Sequence, residues 1–226
     1  LECCRVWGKI TRFIHVSTDE VYGENIVGLD GKINIMNEKS ILNPTNPYAA
    51  TKASAEMIVN SYRYSYKMPI ITTRGNNVYG PRQYPEKLIP KFMMLLLNGK
   101  KCTIHGKGAT SRSFLYVDDV VAAFELILIK GTLGEIYNIG IEQEYSVMEI
   151  TNKIINLVMP NLSEAEKQAK YIFVNDRDYN DDRYFISTEK LKSMGWKPKI
   201  NIDEGLKKTL QYYVEKNIFM DTNKNN

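Results

Sequence analysis

The chain has 226 residues, 43% of them hydrophobic and 25% charged, and a formal net charge of +4. This composition is typical of a globular protein with one domain or slightly more. The basic residues are scattered, and neither a long apolar run nor a signal-peptide pattern occurs, so no nucleic-acid or membrane partner is predicted. The cysteines Cys3, Cys4 and Cys102 lack metal-ligand spacing, so we expect no metal site and a reducing, cytoplasmic compartment.

An apolar, β-branched segment at residues 13–16 predicts a buried strand, and the polar cluster Ser17-Thr18-Asp19-Glu20 follows at its C-terminal end. In open α/β sheets, ligands bind beyond the carboxyl ends of the strands. A hydroxyl and two carboxylates are costly to gather there unless water or a substrate solvates them, although Ser, Thr and Asp are also common in capping turns. Two adjacent carboxyls suit proton transfer, because repulsion and partial burial keep one protonated while the other acts as a base.

The next strong signal is Asn46-Pro47, which predicts the start of an alanine-rich helix that runs from Tyr48 to about Tyr66. Tyr48 and Lys52 lie one turn apart on one face of this helix, where an ammonium favours the phenolate and makes tyrosine a usable base. Chance alone yields about one or two such pairs in a chain with 15 tyrosines. Taken alone, the pair is equally consistent with a surface contact.

The rest of the chain alternates strands and helices. Residues 69–74 form a second predicted strand, which ends in a glycine-containing turn at 75–81. The strand, helix, strand order predicts a parallel sheet and an α/β fold. The remaining predictions are helices near residues 90–97, 117–129, 146–158, 188–194 and 203–216, strands at 135–139 and 171–174, and a polar linker at 163–170.

Several stretches resemble one known family. Residues 15–23 and 43–52, which hold the Thr18-Asp19-Glu20 triplet and the Tyr48 and Lys52 pair, resemble the nucleotide-sugar 4,6-dehydratases of the extended short-chain dehydrogenase/reductase family. The sequence of these stretches is most similar to that of the dehydratase domain of rhamnose synthases. Within this family the triplet separates dehydratases from epimerases and decarboxylases. Agreement extends to residues 73–81, 85–90, 112–116, 137–140 and 175–184.

The resemblance implies a NAD-dependent enzyme that converts UDP-glucose or dTDP-glucose to the 4-keto-6-deoxy sugar. Tyr48 would take the proton of the 4-hydroxyl while hydride leaves C4 for NAD+, and Thr18 would hydrogen-bond the same oxygen. Glu20 would then take the C5 proton, Asp19 would protonate the departing 6-hydroxyl, and hydride would return to C6. Lys52 would hold the cofactor ribose and lower the pKa of Tyr48.

The resemblance also implies two sets of binding residues. The cofactor would contact Ser17, Tyr48, Lys52 and Asn76. The substrate would contact Asn77, Lys87, Arg112, Asn138 and Arg177. Guanidinium groups suit the diphosphate because they offer paired donors, although each of these residues alone is also compatible with a surface charge or a turn. Where many relatives have histidine, this chain has Asn180.

The implied fold is a partial Rossmann-like parallel sheet whose N-terminal strands are missing, with a smaller mixed α/β lobe that binds the substrate. We expect residues 1–140 to be the C-terminal part of the NAD-binding domain, with an excursion into the substrate lobe at about 81–116. Residues 141–219 would form mainly the substrate lobe, and residues 220–226 a disordered tail.

None of the 14 glycines forms the G-x-x-G-x-x-G turn that the family uses for the NAD pyrophosphate, and the chain opens on what reads as the end of a helix. We therefore expect a fragment that lacks about 100 N-terminal residues. Two hypotheses stay open. The chain is either the C-terminal two thirds of an active, homodimeric dehydratase, or a non-catalytic fragment or interaction module.

Overall fold

The computed structural model describes residues 1–25, 34–176 and 185–216, so the predicted positions Arg177 and Asn180 and the predicted tail lie outside the described residues. Among the described residues, the helices are α1 (Glu2–Trp7), α2 (Pro47–Tyr66), α3 (Leu88–Leu97), α4 (Val117–Lys130), α5 (Val147–Val158), α6 (Glu164–Gln168), α7 (Glu189–Ser193) and α8 (Ile202–Glu215). The strands there are β1 (Phe13–Thr18), β2 (Ile70–Gly75), β3 (Asn77–Tyr79), β4 (Cys102–His105), β5 (Ser111–Tyr116), β6 (Ile136–Ile139), β7 (Glu144–Ser146) and β8 (Tyr171–Val174). A 3-10 turn, Asp19–Tyr22, directly follows β1.

The predicted parallel α/β arrangement is confirmed by a sheet in which β1, β2 and β6 lie side by side and run in the same direction. Thr18 of β1 aligns with Gly75 of β2, and Gly75 aligns with Ile139 of β6. The three strands therefore end at one edge. The polar residues that follow β1 and β2 consequently lie in the same region, beyond the carboxyl ends of the strands.

Helices cover both faces of this sheet. Successive residues of a strand point to opposite faces. Ile70 accordingly packs with Val59 of α2, whereas its neighbour Ile71 packs with Ala123 and Ile127 of α4. This packing fixes α2, the helix that carries the Tyr48 and Lys52 pair, against the face of β1 and β2.

A second core lies in the smaller lobe, where α3, α5 and α8 contribute Phe92, Ile154 and Leu206. β3 and β5 pair in parallel, β5 and β7 are antiparallel, and β4 forms a separate parallel pair with β8. This mixture of strand directions agrees with the mixed α/β lobe that we expected. The domain boundaries at residues 140 and 219 stay a prediction.

Two segments that we predicted as irregular contain regular structure. The turn at residues 75–81 includes β3, and the linker at 163–170 includes α6, which begins with a capping box between Ser163 and Glu166. The strands β4, β5 and β7 were also not predicted, because each is short and is stabilised by pairing with a segment far away in the chain. The helix end expected at the start is confirmed as α1, which stops at Gly8 with φ 66. In the three described ranges, no helix has the length and apolar character to cross a membrane.

Candidate active site

Asp19 opens the 3-10 turn, and its side chain is buried. Its Oδ1 accepts a hydrogen bond from the Thr18 hydroxyl (3.1 Å), and its Oδ2 accepts one from Asn76 Nδ2 (2.6 Å). Burial raises the pKa of Asp19 to about 7, and the charge of Glu20 acts in the same direction, against the two hydrogen bonds and Arg112. Near neutral pH this carboxyl therefore retains a proton in a large fraction of molecules, as a general acid requires.

Glu20 is joined to the start of α2. Asn46 Nδ2 donates to Glu20 Oε2 (3.0 Å), while Asn46 Oδ1 accepts from the backbone N–H of Ala49 (2.8 Å) as the N-cap of the helix. The backbone N–H of Glu20 donates to the Thr18 hydroxyl oxygen (3.3 Å). One asparagine thus begins the helix that carries Tyr48 and also orients a carboxylate. The two sequence segments that we predicted to carry catalysis therefore meet in space.

Tyr48 lies in the first turn of α2 and is 54% exposed. Its pKa is raised, first by burial and then by the negative charge of Glu20. The Lys52 ammonium donates to the carbonyl oxygen of Val16 (2.7 Å). The charges that raise the pKa of Tyr48 in this structure are those of Glu20 and Asp19, so the expectation that Lys52 lowers it stays a prediction.

A cavity of about 590 Å³ extends from this edge of the sheet into the smaller lobe. Cavities of a few hundred Å³ commonly bind organic ligands of moderate size. Three predicted substrate residues, Asn77, Lys87 and Arg112, line it. Lys87 is exposed and lies 3.5 Å from a carboxylate oxygen of Glu86, whereas Arg112 Nη1 donates to the carbonyl oxygen of Ser111 (2.8 Å). The same cavity is therefore lined by these two cationic side chains and by the carboxylates of the 3-10 turn, which are far apart in the sequence.

The predicted cofactor residues lie at the strand end of the same cavity. Ser17, Tyr48 and Asn76 line it, and Lys52 is one helical turn beyond Tyr48. The Ser17 hydroxyl is buried and has no hydrogen-bond partner in the described part of the chain, so it fits a polar cofactor group that would satisfy it. The Asn76 side chain already has two partners within the protein. Its Oδ1 accepts a hydrogen bond from the backbone N–H of Ile141 (3.0 Å), and its Nδ2 donates one to Asp19.

Asn138, a predicted substrate residue, is not among the residues that line the cavity. It lies on β6 and is fully buried. Its Oδ1 accepts from the Tyr22 hydroxyl (2.8 Å), and its Nδ2 donates to the carbonyl oxygen of Ser187 (3.1 Å). The structure does not bring this side chain to the predicted substrate site, because its amide is used to join the 3-10 turn to the segment after residue 184. Arg177 lies outside the described residues.

A sequence profile of the family described as GDP-mannose 4,6 dehydratase matches residues 1–209. The chain belongs to this dehydratase family. It is 51% identical over 216 residues to a trifunctional UDP-glucose 4,6-dehydratase/UDP-4-keto-6-deoxy-D-glucose 3,5-epimerase/UDP-4-keto-L-rhamnose-reductase of Arabidopsis thaliana, a match that covers 95% of this chain and 31% of that protein. It is 49% identical over 207 residues to the dTDP-D-glucose 4,6-dehydratase of Homo sapiens, with 92% of this chain and 57% of that protein covered.

The fold of this chain is also similar to solved structures of dehydratases. The dTDP-glucose 4,6-dehydratase of Bacillus anthracis in complex with NAD superposes with a TM-score of 0.82 at 38% identity, over 95% of this chain and 65% of that one. The resemblance to nucleotide-sugar 4,6-dehydratases and the Rossmann-like α/β fold are thereby confirmed. The chain spans about a third of the length of the plant relative and somewhat more than half of the human one.

Sequence reasoning missed several residues that hold this dehydratase-family site together. Asn46 was predicted as a helix cap but not as a partner of Glu20. Behind the site, Arg74 of β2 and Glu56 of α2 form a buried ion pair. A signal for this pair was present in the sequence, because Glu56 follows the buried Ala53 by three residues and thus lies on the apolar face of α2. A carboxylate on such a face is expected only when it is paired.

Proposed function

We propose that this chain forms the catalytic and substrate-binding part of a NAD-dependent NDP-glucose 4,6-dehydratase, which converts UDP-glucose or dTDP-glucose to the 4-keto-6-deoxy sugar. The observation that carries the proposal is the pair of adjacent carboxyls in unequal environments. Asp19 is buried with a pKa of about 7, whereas Glu20 is partly exposed and is held by Asn46 beside the helix of Tyr48. Acid and base for one elimination are therefore supplied by neighbouring residues.

NAD, when bound, supplies the oxidant for C4 and the reductant for C6. Ser17, Tyr48 and Lys52 would hold it, since the first has an unsatisfied buried hydroxyl and the other two lie on one face of α2 beside it. Asn76 would affect this part of the site by orienting Asp19 rather than by touching NAD, because both ends of its amide already have partners within the protein.

The first proton transfer is assigned to Tyr48, which would take the proton of the sugar 4-hydroxyl. Thr18, whose hydroxyl acts to lower the pKa of Tyr48, would also hold that oxygen. Because burial and Glu20 raise the pKa of Tyr48 here, the phenol becomes an effective base only when positive charge offsets the carboxylates. Lys52, one turn further along the helix, is a cation on the same face that would contribute to this charge.

The second stage is the loss of water across C5 and C6. The 4-ketone acidifies the C5 hydrogen, and the Glu20 carboxylate would take it as a proton. The proton of the Asp19 carboxyl would go to the departing 6-hydroxyl, which leaves as water. Glu20 would return a proton to C5 when C6 is reduced and so become a carboxylate again. Asp19 would regain its proton from solvent, to which Tyr48 would give up the proton that it took from the 4-hydroxyl.

The substrate is proposed from the relatives and from the cavity. The plant and human relatives are named for UDP-glucose and dTDP-D-glucose, respectively, so the nucleobase is left open. We assign the diphosphate to Lys87, Arg112 and Arg177, and the sugar hydroxyls to Asn77. Asn138 would contribute by holding the adjoining segments rather than by touching the substrate.

Three broader assignments accompany this function. Residues 1–140 would belong to the NAD-binding domain, with an excursion at about 81–116, and residues 141–219 mainly to the substrate lobe. The full-length protein would be a homodimer. A cytoplasmic location is supported by the free state of Cys3, Cys4 and Cys102 in the structure.

The experiment is a turnover assay of the 226-residue chain with NAD+ and either UDP-glucose or dTDP-glucose, followed by mass spectrometry of the sugar. The expected product has lost one water. Calorimetric titration with the same nucleotide sugars runs in parallel. Binding without any loss of water would refute catalysis by this chain and support the alternative of a non-catalytic fragment or interaction module.

A further inference from the structure

A buried ion pair lies directly behind the candidate active site. Arg74, near the end of the central strand β2, donates from Nε to both carboxylate oxygens of Glu56 (3.1 and 3.2 Å) and from Nη2 to Oε2 (2.6 Å). Only 4% of the Arg74 side chain and 7% of the Glu56 side chain are exposed. Helix α2 is therefore attached to the sheet by a directional contact, in addition to its apolar packing.

Glu56 lies on the helix face that carries the proposed base. Tyr48, Lys52 and Glu56 are spaced by four residues, so they follow one another along one side of α2. The contact between Asn46 and Glu20 attaches the start of the helix to the 3-10 turn. The ion pair attaches the helix again about 15 Å further along, at about 1.5 Å of rise per residue. Tyr48 is thus held between two attachments.

The same guanidinium contacts the turn that carries the two carboxylates. Arg74 Cζ lies 4.6 Å from the centre of the Tyr22 ring, and Tyr22 is the last residue of the 3-10 turn that begins with Asp19. The Tyr22 hydroxyl donates to Asn138 Oδ1 (2.8 Å), which fixes the ring to β6. Arg74 therefore touches the helix of the proposed base on one side and the turn of the proposed acid on the other.

We propose that Arg74 is a positioning residue, which sets the distance between the Tyr48 hydroxyl and the Thr18-Asp19-Glu20 segment by binding Glu56 and stacking on Tyr22. Its use in dehydration rests on the proposed function, but the geometry itself is measurable without turnover. A guanidinium suits this position because its planar fork bonds a carboxylate while its face stacks on an aromatic ring. An ammonium lacks both the planar fork and the flat face.

Stability alone does not account for an ion pair at this depth. Desolvation of two charges is costly, and replacement of a buried ion pair by apolar side chains of similar volume is often neutral or stabilising. Apolar side chains at positions 56 and 74 would keep helix and strand together by packing, but they would not fix how α2 is rotated and shifted. A purely structural role and a positioning role thus predict different properties for such a double variant.

The test compares the native 226-residue chain with the double variant Arg74→Met/Glu56→Leu. The control, Lys208→Met/Glu204→Leu, removes an exposed ion pair on α8. The readouts are the urea midpoint, the titration of the Tyr48 phenol by ¹³C NMR of the tyrosine rings, and kcat and KM for dehydration. Tyr48→Phe assigns the resonance.

We expect Arg74→Met/Glu56→Leu to keep the native urea midpoint while the pKa of Tyr48 falls toward its ordinary value, because the phenol is then less buried and is no longer held beside Glu20. The expected loss in kcat is about tenfold or more, since small misplacements of a catalytic group are costly. KM should stay within about twofold, because substrate binding is not altered. The control variant should change none of these readouts.

A folded double variant with native Tyr48 titration and native kcat would overturn the proposal, since the ion pair would then serve the fold alone. If the double variant unfolds, the single variant Arg74→Lys decides by the same titration, because it keeps a buried cation but loses the fork. Absence of turnover in the native chain would count against the proposed function. The Tyr48 titration would still show whether Arg74 positions the phenol.

Discussion

Replacement of Asp19 by Asn keeps the shape of the buried side chain but removes its charge at every pH. The folded chain holds the pKa of Asp19 at about 7, against an ordinary value of 3.8. Because the pKa of Asp19 is higher in the folded than in the unfolded chain, its contribution to stability is greatest below about pH 4. This contribution is lost as the pH rises through 7. The variant has no such group to ionise. Its stability relative to the native chain should therefore increase with pH.

The magnitude follows from the two pKa values. A difference of about three units corresponds to about 4 kcal/mol when Asp19 is fully ionised in both states, at about 1.4 kcal/mol per unit. About 2 to 3 kcal/mol of this should develop between pH 5 and pH 8, because the unfolded carboxyl is already ionised at the lower pH. The hydrogen bonds need not be lost, since the new amide is able to accept from Asn76 and to donate to the Thr18 hydroxyl.

The assay is urea unfolding of the native chain and Asp19→Asn at intervals from pH 5 to pH 8.5. The variant minus native free energy of unfolding should rise across this range and level off above it. Asp118→Asn, which removes an exposed carboxyl at the start of α4, is the matched control and should give a curve parallel to the native one. A parallel curve for Asp19→Asn as well would refute the raised pKa and, with it, the role of Asp19 as the acid.

Four further site variants have expected outcomes. In a single turnover followed at 340 nm, Tyr48→Phe should abolish the transient reduction of bound NAD+. Glu20→Gln should still oxidise C4 but stop at one equivalent of 4-keto sugar that retains its 6-hydroxyl. Native activity in either variant would refute the roles. Asn46→Ala should lower the free energy of unfolding by about 1 kcal/mol, because an N-cap is lost, and should also lower turnover. The control Asn201→Ala, which removes the N-cap of α8, should cost the same stability and leave turnover unchanged. Equal turnover in both variants would contradict a role for the contact between Asn46 and Glu20. Asn76→Ala should raise the pKa of the neighbouring buried carboxyl further, because a donor to its charged form is lost; an unchanged ¹³C titration would contradict this.

The strand β1, the helix α2 and the parallel direction of the strands were predictable because each follows from local chemistry or from the strand, helix, strand succession. Residues 13–16 are apolar and β-branched, and Asn46 followed by Pro47 is a strong helix start. The contact between Glu20 and Asn46 was not predicted, because it joins the end of β1 to a helix start 26 residues further along the chain. The elements that carry Glu20 and Tyr48 were thus predictable from the sequence, whereas the catalytic roles of these residues stay a prediction.

Features that depend on distant partners were not readable in the same way. β5 is stabilised by β3 and β7, which pair on either side of it, so its sequence alone gives a weak signal. Asn138 has the residue type of a ligand contact, but only the fold shows that Tyr22 and Ser187 use its amide. The spacing of Lys52 and Tyr48 likewise suggests that the ammonium acts on the phenol. Only the structure shows that the ammonium donates a hydrogen bond to the carbonyl oxygen of Val16 in β1.

The central claim is that the carboxyl pair beside Tyr48 removes water from a nucleotide sugar. The most direct measurement is mass spectrometry of the sugar formed by the 226-residue chain from UDP-glucose and NAD+ in D2O. We expect a product that has lost one water and gained one deuterium at C5, because Glu20 exchanges its proton with solvent before returning one. A product of unchanged formula, or loss of water that persists in Glu20→Gln, would contradict it.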